Sequence, residues 1–194
     1  CLMPTVYLAG PEVFFADGRA LIARKRALAQ AYGFEAVAGL GDKALPSGKF
    51  ERGLFISALN EDLIRASDFM IANMTPFRGI STDVGTAYEI GFMCALRRPV
   101  FGYTNDPRPY NERAAADYYD GRVAVARNGE LRSETDGQLV EDHGMADNLM
   151  LDGGIAATGG TVIRPVDGRT PPADDLGVFE RCLAEARHYW QNRH

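Results

Sequence analysis

Apolar and polar positions along this chain fall into short blocks that switch between a period of two and a period near 3.6. Residues 5–9 are a brief β-type run stopped by Gly10-Pro11, which reads as a strand followed by a turn. Over residues 17–32, Leu21, Ile22, Leu28 and Ala29 recur among Arg, Lys and Gln, and Gly33 follows as a stop; this predicts an amphipathic helix. Residues 34–37 predict a second strand, the Gly- and Pro-rich residues 39–53 a loop, and residues 55–65, with Phe55, Ile56, Leu59, Leu63 and Ile64 at helical spacing, a second helix. Further strands are expected at residues 68–72, 99–103 and 161–163, with a loop at 73–81, an apolar helix around Glu89, a loop at Pro171-Pro172 and a closing amphipathic helix over 174–191. Such alternation predicts an α/β fold: a single domain over residues 1–194, with a parallel Rossmann- or flavodoxin-like sheet and helices on both faces. Residues 104–147 are polar and weakly periodic, and are expected to form a long excursion with some helix; stretches of that size are more often functional than idle.

The most informative stretch is Thr82-Asp83-Val84-Gly85-Thr86-Ala87-Tyr88-Glu89-Ile90-Gly91. From Val84 to Leu96 the only polar side chains are Thr86, Tyr88 and Glu89, so the pattern predicts a buried glutamate. A carboxylate without water or a partner costs several kcal/mol by rough estimate, so such a group usually has a task. Gly85 lies four residues earlier on the same helical face and leaves room above the carboxylate for something small.

Bulk properties narrow the class. The chain has 194 residues, enough for one well-filled core, and its 46% hydrophobic and 24% charged residues contain no apolar run of membrane-spanning length and no secretory pattern at the start. The net charge of −5 argues against nucleic acid as a partner, and Arg24-Lys25-Arg26 is expected to be the solvated side of a helix. Three cysteines (Cys1, Cys94, Cys182) and three histidines (His143, His188, His194) form no ligand spacing, so reduced thiols, no protein-held metal and a cytoplasmic location are expected.

In open parallel sheets ligands sit beyond the carboxyl ends of the strands. Those ends here offer a phenol (Tyr7), two carboxylates (Asp83, Glu89), aromatic faces (Phe14, Phe15, Phe77) and Arg78, but no GxGxxG and no GxxxxGK[ST]; no dinucleotide or triphosphate cofactor is expected.

Four motifs, in order along the chain, resemble the nucleoside 2-deoxyribosyltransferase family: Tyr7-Leu8-Ala9-Gly10-Pro11; Ala72-Asn73-Met74-Thr75-Pro76-Phe77-Arg78-Gly79; Asp83-x-Gly85-Thr86-x-x-Glu89-x-Gly91; and Asp147-Asn148-Leu149-Met150-Leu151. The resemblance implies that Glu89 is the nucleophile toward the anomeric carbon of a 2-deoxyribonucleoside, that Tyr7 orients it, and that Asp83 lies beside base and sugar. It further implies that Asn148 reaches in from a neighbouring subunit to hold the sugar 5'-hydroxyl, with Met150 lining that wall, so that a homo-oligomer completes the site. Many members carry an aspartate eight residues before the position matching Asp68 and use it as an acid toward the base; here that position is Asn60, with Asp62 close by. The purine-preferring branch is similar in having Asn there together with a Pro-Phe-Arg-Gly loop, which implies purine bases.

Three alternatives remain open on the residues. A hydrolase of the same fold would cleave 2-deoxynucleosides or their 5'-monophosphates, but the latter needs phosphate-friendly residues where this chain has Pro11-Glu12-Val13-Phe14. Cytokinin-activating phosphoribohydrolases share a Gly-Thr-x-x-Glu run but precede it with paired glycines, where this chain has Asp83-Val84. A non-catalytic module would hold a base between Phe77 and Phe14.

Overall fold

A computed structural model describes residues 3–39 and 43–192; Cys1, His194 and part of the 39–53 stretch lie outside them. The apolar blocks form the strands β1 (Thr5–Ala9), β2 (Glu35–Val37), β3 (Phe69–Asn73), β4 (Val100–Tyr103), β5 (Val123–Val125), β6 (Leu131–Ser133) and β7 (Val162–Ile163). The helices are α1 (Gly18–Ala31), α2 (Lys49–Ala66), α3 (Val84–Ala95), the single turn α4 (Tyr110–Arg113), α5 (Leu149–Ala157) and α6 (Gly177–Gln191). Five strands pair in the order β2-β1-β3-β4-β7, all parallel. This is a flavodoxin-like order, and its switch point lies between β1 and β3, where the chain leaves in opposite directions and opens a crevice at the carboxyl edge.

Period-two alternation divides the core. Val6, Leu8, Phe69, Ile71, Phe101 and Tyr103 face one way and pack under α1 and α6, with Ala29, Phe179 and Leu183. Tyr7, Ala9, Met70, Ala72 and Val100 face the other way and pack with Ile64 of α2, Ile90 and Met93 of α3, and Ile155 of α5. Gly102 lies on this second face, where a Cβ would fall 2.6 Å from Met74 Sδ and 3.2 Å from Ile155 Cδ1, so a side chain there would push α5 off the sheet.

Three expectations change. The helix expected from residue 55 starts at Lys49, and Gly53 lies exposed within it; outward-facing Phe50 and Leu54 obscured the periodicity. The excursion contains α4, a short π-type continuation to Tyr118, and an antiparallel hairpin of β5 and β6 whose strands are three residues each. Lys25 is not on a solvated face: it is 2% exposed and forms a buried ion pair with Glu12, itself 4% exposed, in the turn after β1. Asn73 Nδ2 (2.7 Å) and the Tyr103 hydroxyl (3.2 Å) also donate to Glu12 Oε1, while the Lys25 ammonium lies 4.8 Å from the Phe179 ring centre. Burial pushes the Glu12 carboxyl upward, but Lys25 and Asn73 outweigh it and hold the group below its ordinary value.

This pair ties α1 to the end of β1 and to the last residue of β3. Removing one partner leaves an uncompensated buried charge. Lys25→Met is expected to lower the urea-unfolding free energy by about 3–5 kcal/mol, and adding Glu12→Gln to recover part of that loss. Equal loss in the single and double variants would show that the two residues do not act as a pair.

Candidate active site

The centre of the crevice is built by β1 and α3. Tyr7 lies on the α3 side of β1 and is 2% exposed. Its hydroxyl donates to Glu89 Oε1 at 2.7 Å. Among the described residues, nothing is bonded to Glu89 Oε2. Glu89 is half-buried rather than buried, because α3 has a wet side that the residue types did not reveal: Val84 is 85% and Tyr88 57% exposed, and Gly85 and Gly91 are exposed too.

The electrostatics follow from that placement. Desolvation raises the Glu89 carboxyl from its ordinary value to about 7; the hydrogen bond from Tyr7 opposes this, and the negative charge of Asp83 adds to it. Burial, and then the Glu89 charge, push the Tyr7 phenol well above its ordinary value, so Tyr7 is a donor throughout the physiological range. Asp83 caps α3 by accepting from the Thr86 amide at 3.1 Å and from its hydroxyl at 3.3 Å. At Gly85 an added Cβ would meet only Asp83 Oδ2, at 3.1 Å, so the space one turn above Glu89 is open.

The other candidate residues divide between this crevice and the surface. At Gly10 a Cβ would land on the Glu12 carboxylate and 2.9 Å from Asn73 Cβ, so glycine lets the turn after β1 close against β3. Phe14 and Phe77 stack on each other with centroids 5.5 Å apart and planes 13° off parallel, and the Arg78 guanidinium lies 4.9 and 4.7 Å from the two centroids. That contact fills the gap between Phe77 and Phe14 in which a simple binding module would have held a base. Asn60 lies one turn before buried Ile64 on the same face of α2, and its buried Oδ1 has no hydrogen-bond partner. Asp62 points the other way, with its side chain 78% exposed and 3.8 Å from Arg65. Asn148 caps α5 by accepting from the Met150 amide at 3.0 Å, and Met150 is 72% exposed.

Several supporting groups carried no signal of their own in the sequence. Asp147, 1% exposed, accepts from the Thr82 amide (2.8 Å) and hydroxyl (2.9 Å) and from Arg113 (3.4 Å) through Oδ2, and from the Asn148 amide (2.8 Å) through Oδ1. Arg113, also 1% exposed, donates to the carbonyls of Ile80 (2.9 Å) and Arg108 (2.8 Å). One ion pair thus fixes the residue before Asp83 and the cap of α5 together. Asp147 lay within a recognised motif, but its partner Arg113 is 34 residues away in a weakly periodic stretch.

Among the described residues no group of three or more His, Cys, Asp or Glu could hold a metal ion, and no helix is long and apolar enough to cross a membrane. Cys94 and Cys182 are free thiols. The turn after β1 carries the buried Glu12 carboxylate rather than a run of free glycine amides, which does not suit a cofactor phosphate.

Residues 6–150 match the family described as Nucleoside 2-deoxyribosyltransferase. The chain belongs to the nucleoside 2-deoxyribosyltransferase family. Every candidate residue from Tyr7 to Met150 lies within the matched span. Among solved structures, the 2-deoxyribosyltransferase from Leishmania mexicana is 32% identical, with a TM-score of 0.58 over 76% of this chain and 85% of that one. A conserved protein from Enterococcus faecalis, 19% identical over 96% of this chain and 99% of its own, has the same fold with a TM-score of 0.54. An uncharacterised protein of Schizosaccharomyces pombe is 31% identical over 172 residues, covering 82% of this chain and 81% of its own. The parallel sheet with helices on both faces is therefore the arrangement expected of this family.

The Glu89 environment predicts a distinct pH signature. A carboxyl whose folded value is raised favours the folded state at low pH, and that contribution is lost as pH rises from about 4.5 through about 7. Glu89→Gln does not titrate, so its stability relative to the parent should increase from pH 5 to pH 8, by no more than about 3 kcal/mol. Urea unfolding of both proteins at the two pH values measures this; a constant difference would mean that Glu89 is not desolvated.

Proposed function

We propose that this protein moves the 2-deoxyribosyl group of a deoxyribonucleoside from one nucleobase to another through a covalent intermediate on Glu89. The single observation that carries this reading is the partly desolvated Glu89 carboxylate, held through Oε1 by the Tyr7 hydroxyl at 2.7 Å while, among the described residues, nothing is bonded to Oε2. Glu89 Oε2 attacks C1' as the glycosidic C–N bond breaks, and the departing base keeps the bonding electron pair. An incoming base then displaces the carboxylate from the opposite side and loses its N–H proton to solvent. Two inversions give net retention, as in glycosidases that use a carboxylate nucleophile. Tyr7 fixes the direction of attack and favours the ionised carboxylate, and Asp83 faces base and sugar from the start of α3.

Asn60 supports the purine branch of this reading. A buried amide oxygen left without a partner costs roughly 1–3 kcal/mol, and a base that carries an N–H donor beside N7, as adenine does, would relieve it. The amide also presents N–H donors to a purine N7, a site that pyrimidines lack. Asn60 stabilises the departing base by a hydrogen bond, and the proton comes from solvent. The exposed apolar side chains on α3 and α5, Val84, Tyr88 and Met150, suit the face of a second copy, whose Asn148 would hold the 5'-hydroxyl. Free nucleosides and bases are the small-molecule partners of such an enzyme, and the cytoplasm is the compartment that fits its reduced thiols.

Incubation with deoxyinosine, with and without free adenine, tests the proposal. Deoxyadenosine should form only with adenine present and be lost in Glu89→Ala, and thymidine should turn over far more slowly than deoxyinosine. Hypoxanthine release at the same rate without adenine would mean hydrolysis instead. Tyr7→Phe removes a donor to the ionised carboxylate, so the midpoint at which kcat/KM rises with pH should move upward by about one unit; an unchanged midpoint would remove Tyr7 from this role.

A further inference from the structure

The N-terminus of α5 carries a carboxylate where an anionic ligand would otherwise be favoured. The first amides of a helix point outward with partial positive charge, and phosphates bind there readily. Glu141, at the end of the 104–147 excursion, fills that place: Oε2 accepts from the Leu149 amide at 3.1 Å, and Oε1 accepts from Asn148 Nδ2 at 2.7 Å. The Asn148 Oδ1 is engaged in turn by the Met150 amide at 3.0 Å, so the side-chain amide is held from both ends in one orientation. Glu141 is half-buried, and among the described residues no lysine or arginine pairs with it.

We infer that Glu141 is a specificity-determining residue that keeps 5'-phosphorylated nucleosides out of the site. The inference rests on the reading above, in which Asn148 meets the 5' end of the sugar. With its bonds to Glu141 and Met150 made, the Asn148 amide still offers one N–H and one oxygen lone pair, a pair that suits a hydroxyl, which both donates and accepts. A phosphate only accepts. It would compete with Glu141 for the Leu149 and Asn148 donors while bringing like charge against the carboxylate, with no cation bonded there to offset it. The consequence is an enzyme for free nucleosides rather than for their 5'-monophosphates.

The test compares the parent, Glu141→Gln, Glu141→Ser and the surface control Glu130→Gln, each checked for folding by thermal melting. Calorimetry measures the affinity for deoxyinosine and for 2'-deoxyinosine 5'-monophosphate, and base exchange is assayed with both donors. Relative to the parent, the Gln and Ser variants are expected to shift the affinity ratio at least tenfold toward the monophosphate, while Glu130→Gln, with the same change in net charge, leaves it in place. An unchanged ratio in the folded Glu141 variants, or tight monophosphate binding by the parent, overturns the inference. A shifted binding ratio without any base exchange would uphold Glu141 as the discriminator and overturn the transferase reading alone.

Discussion

The contact between the Tyr7 hydroxyl and the Glu89 carboxylate joins a strand to a helix 82 residues further along the chain. It requires β1 and α3 to be held in one relative position, and it requires a carboxyl group to stay partly out of water. The second requirement is what makes the first useful. Desolvation brings the group to about 7, and the tyrosine hydrogen bond keeps the ionised form accessible near neutral pH. Without that donor the same burial would leave less of the carboxylate ionised at neutral pH.

Two buried ion pairs brace the crevice in which this contact sits. Glu12 and Lys25, with Asn73 and Tyr103, anchor the turn after β1 to α1, β3 and β4. Asp147 and Arg113 anchor the loop before α3 and, through the Asn148 amide, the start of α5. Each puts charge where apolar packing would be cheaper, and such pairs are weak sources of net stability. Their value here is geometric: each gathers segments far apart in sequence around a single carboxylate. The surface loops therefore meet at one place with little freedom left.

The parallel sheet and the positions of its central strands were legible because β1, β3 and β4 are buried on both faces and read as continuous apolar runs. The start of α2 was not, since Phe50 and Leu54 are exposed and Gly53 looks like a breaker. Nor was the hairpin of β5 and β6, with strands too short to show alternation. For the site, Glu89 and Tyr7 stood out as chemistry, and the structure brings them within bonding distance. Lys25 was misread as solvated because a basic cluster on an amphipathic helix normally is, and nothing local pointed to Glu12 as its partner. Asn60 and Asp62 are two residues apart, and only the helix register separates an inward amide with a free oxygen from an outward carboxylate. Partners distant in sequence leave no trace in periodicity, which is why Arg113 was invisible; Glu141, only seven residues before Asn148, lies in a polar stretch with no periodicity to mark it.

The account turns on Glu89 becoming covalently bonded to the sugar. The most direct measurement is mass spectrometry of the protein mixed with deoxyinosine in the absence of an acceptor base, acid-quenched on the millisecond timescale and digested. A peptide containing Glu89 that gains the mass of one deoxyribosyl group, and fails to gain it in Glu89→Gln, is the predicted result. Base exchange that proceeds at full rate with no adduct, or with the adduct on another residue, would contradict it.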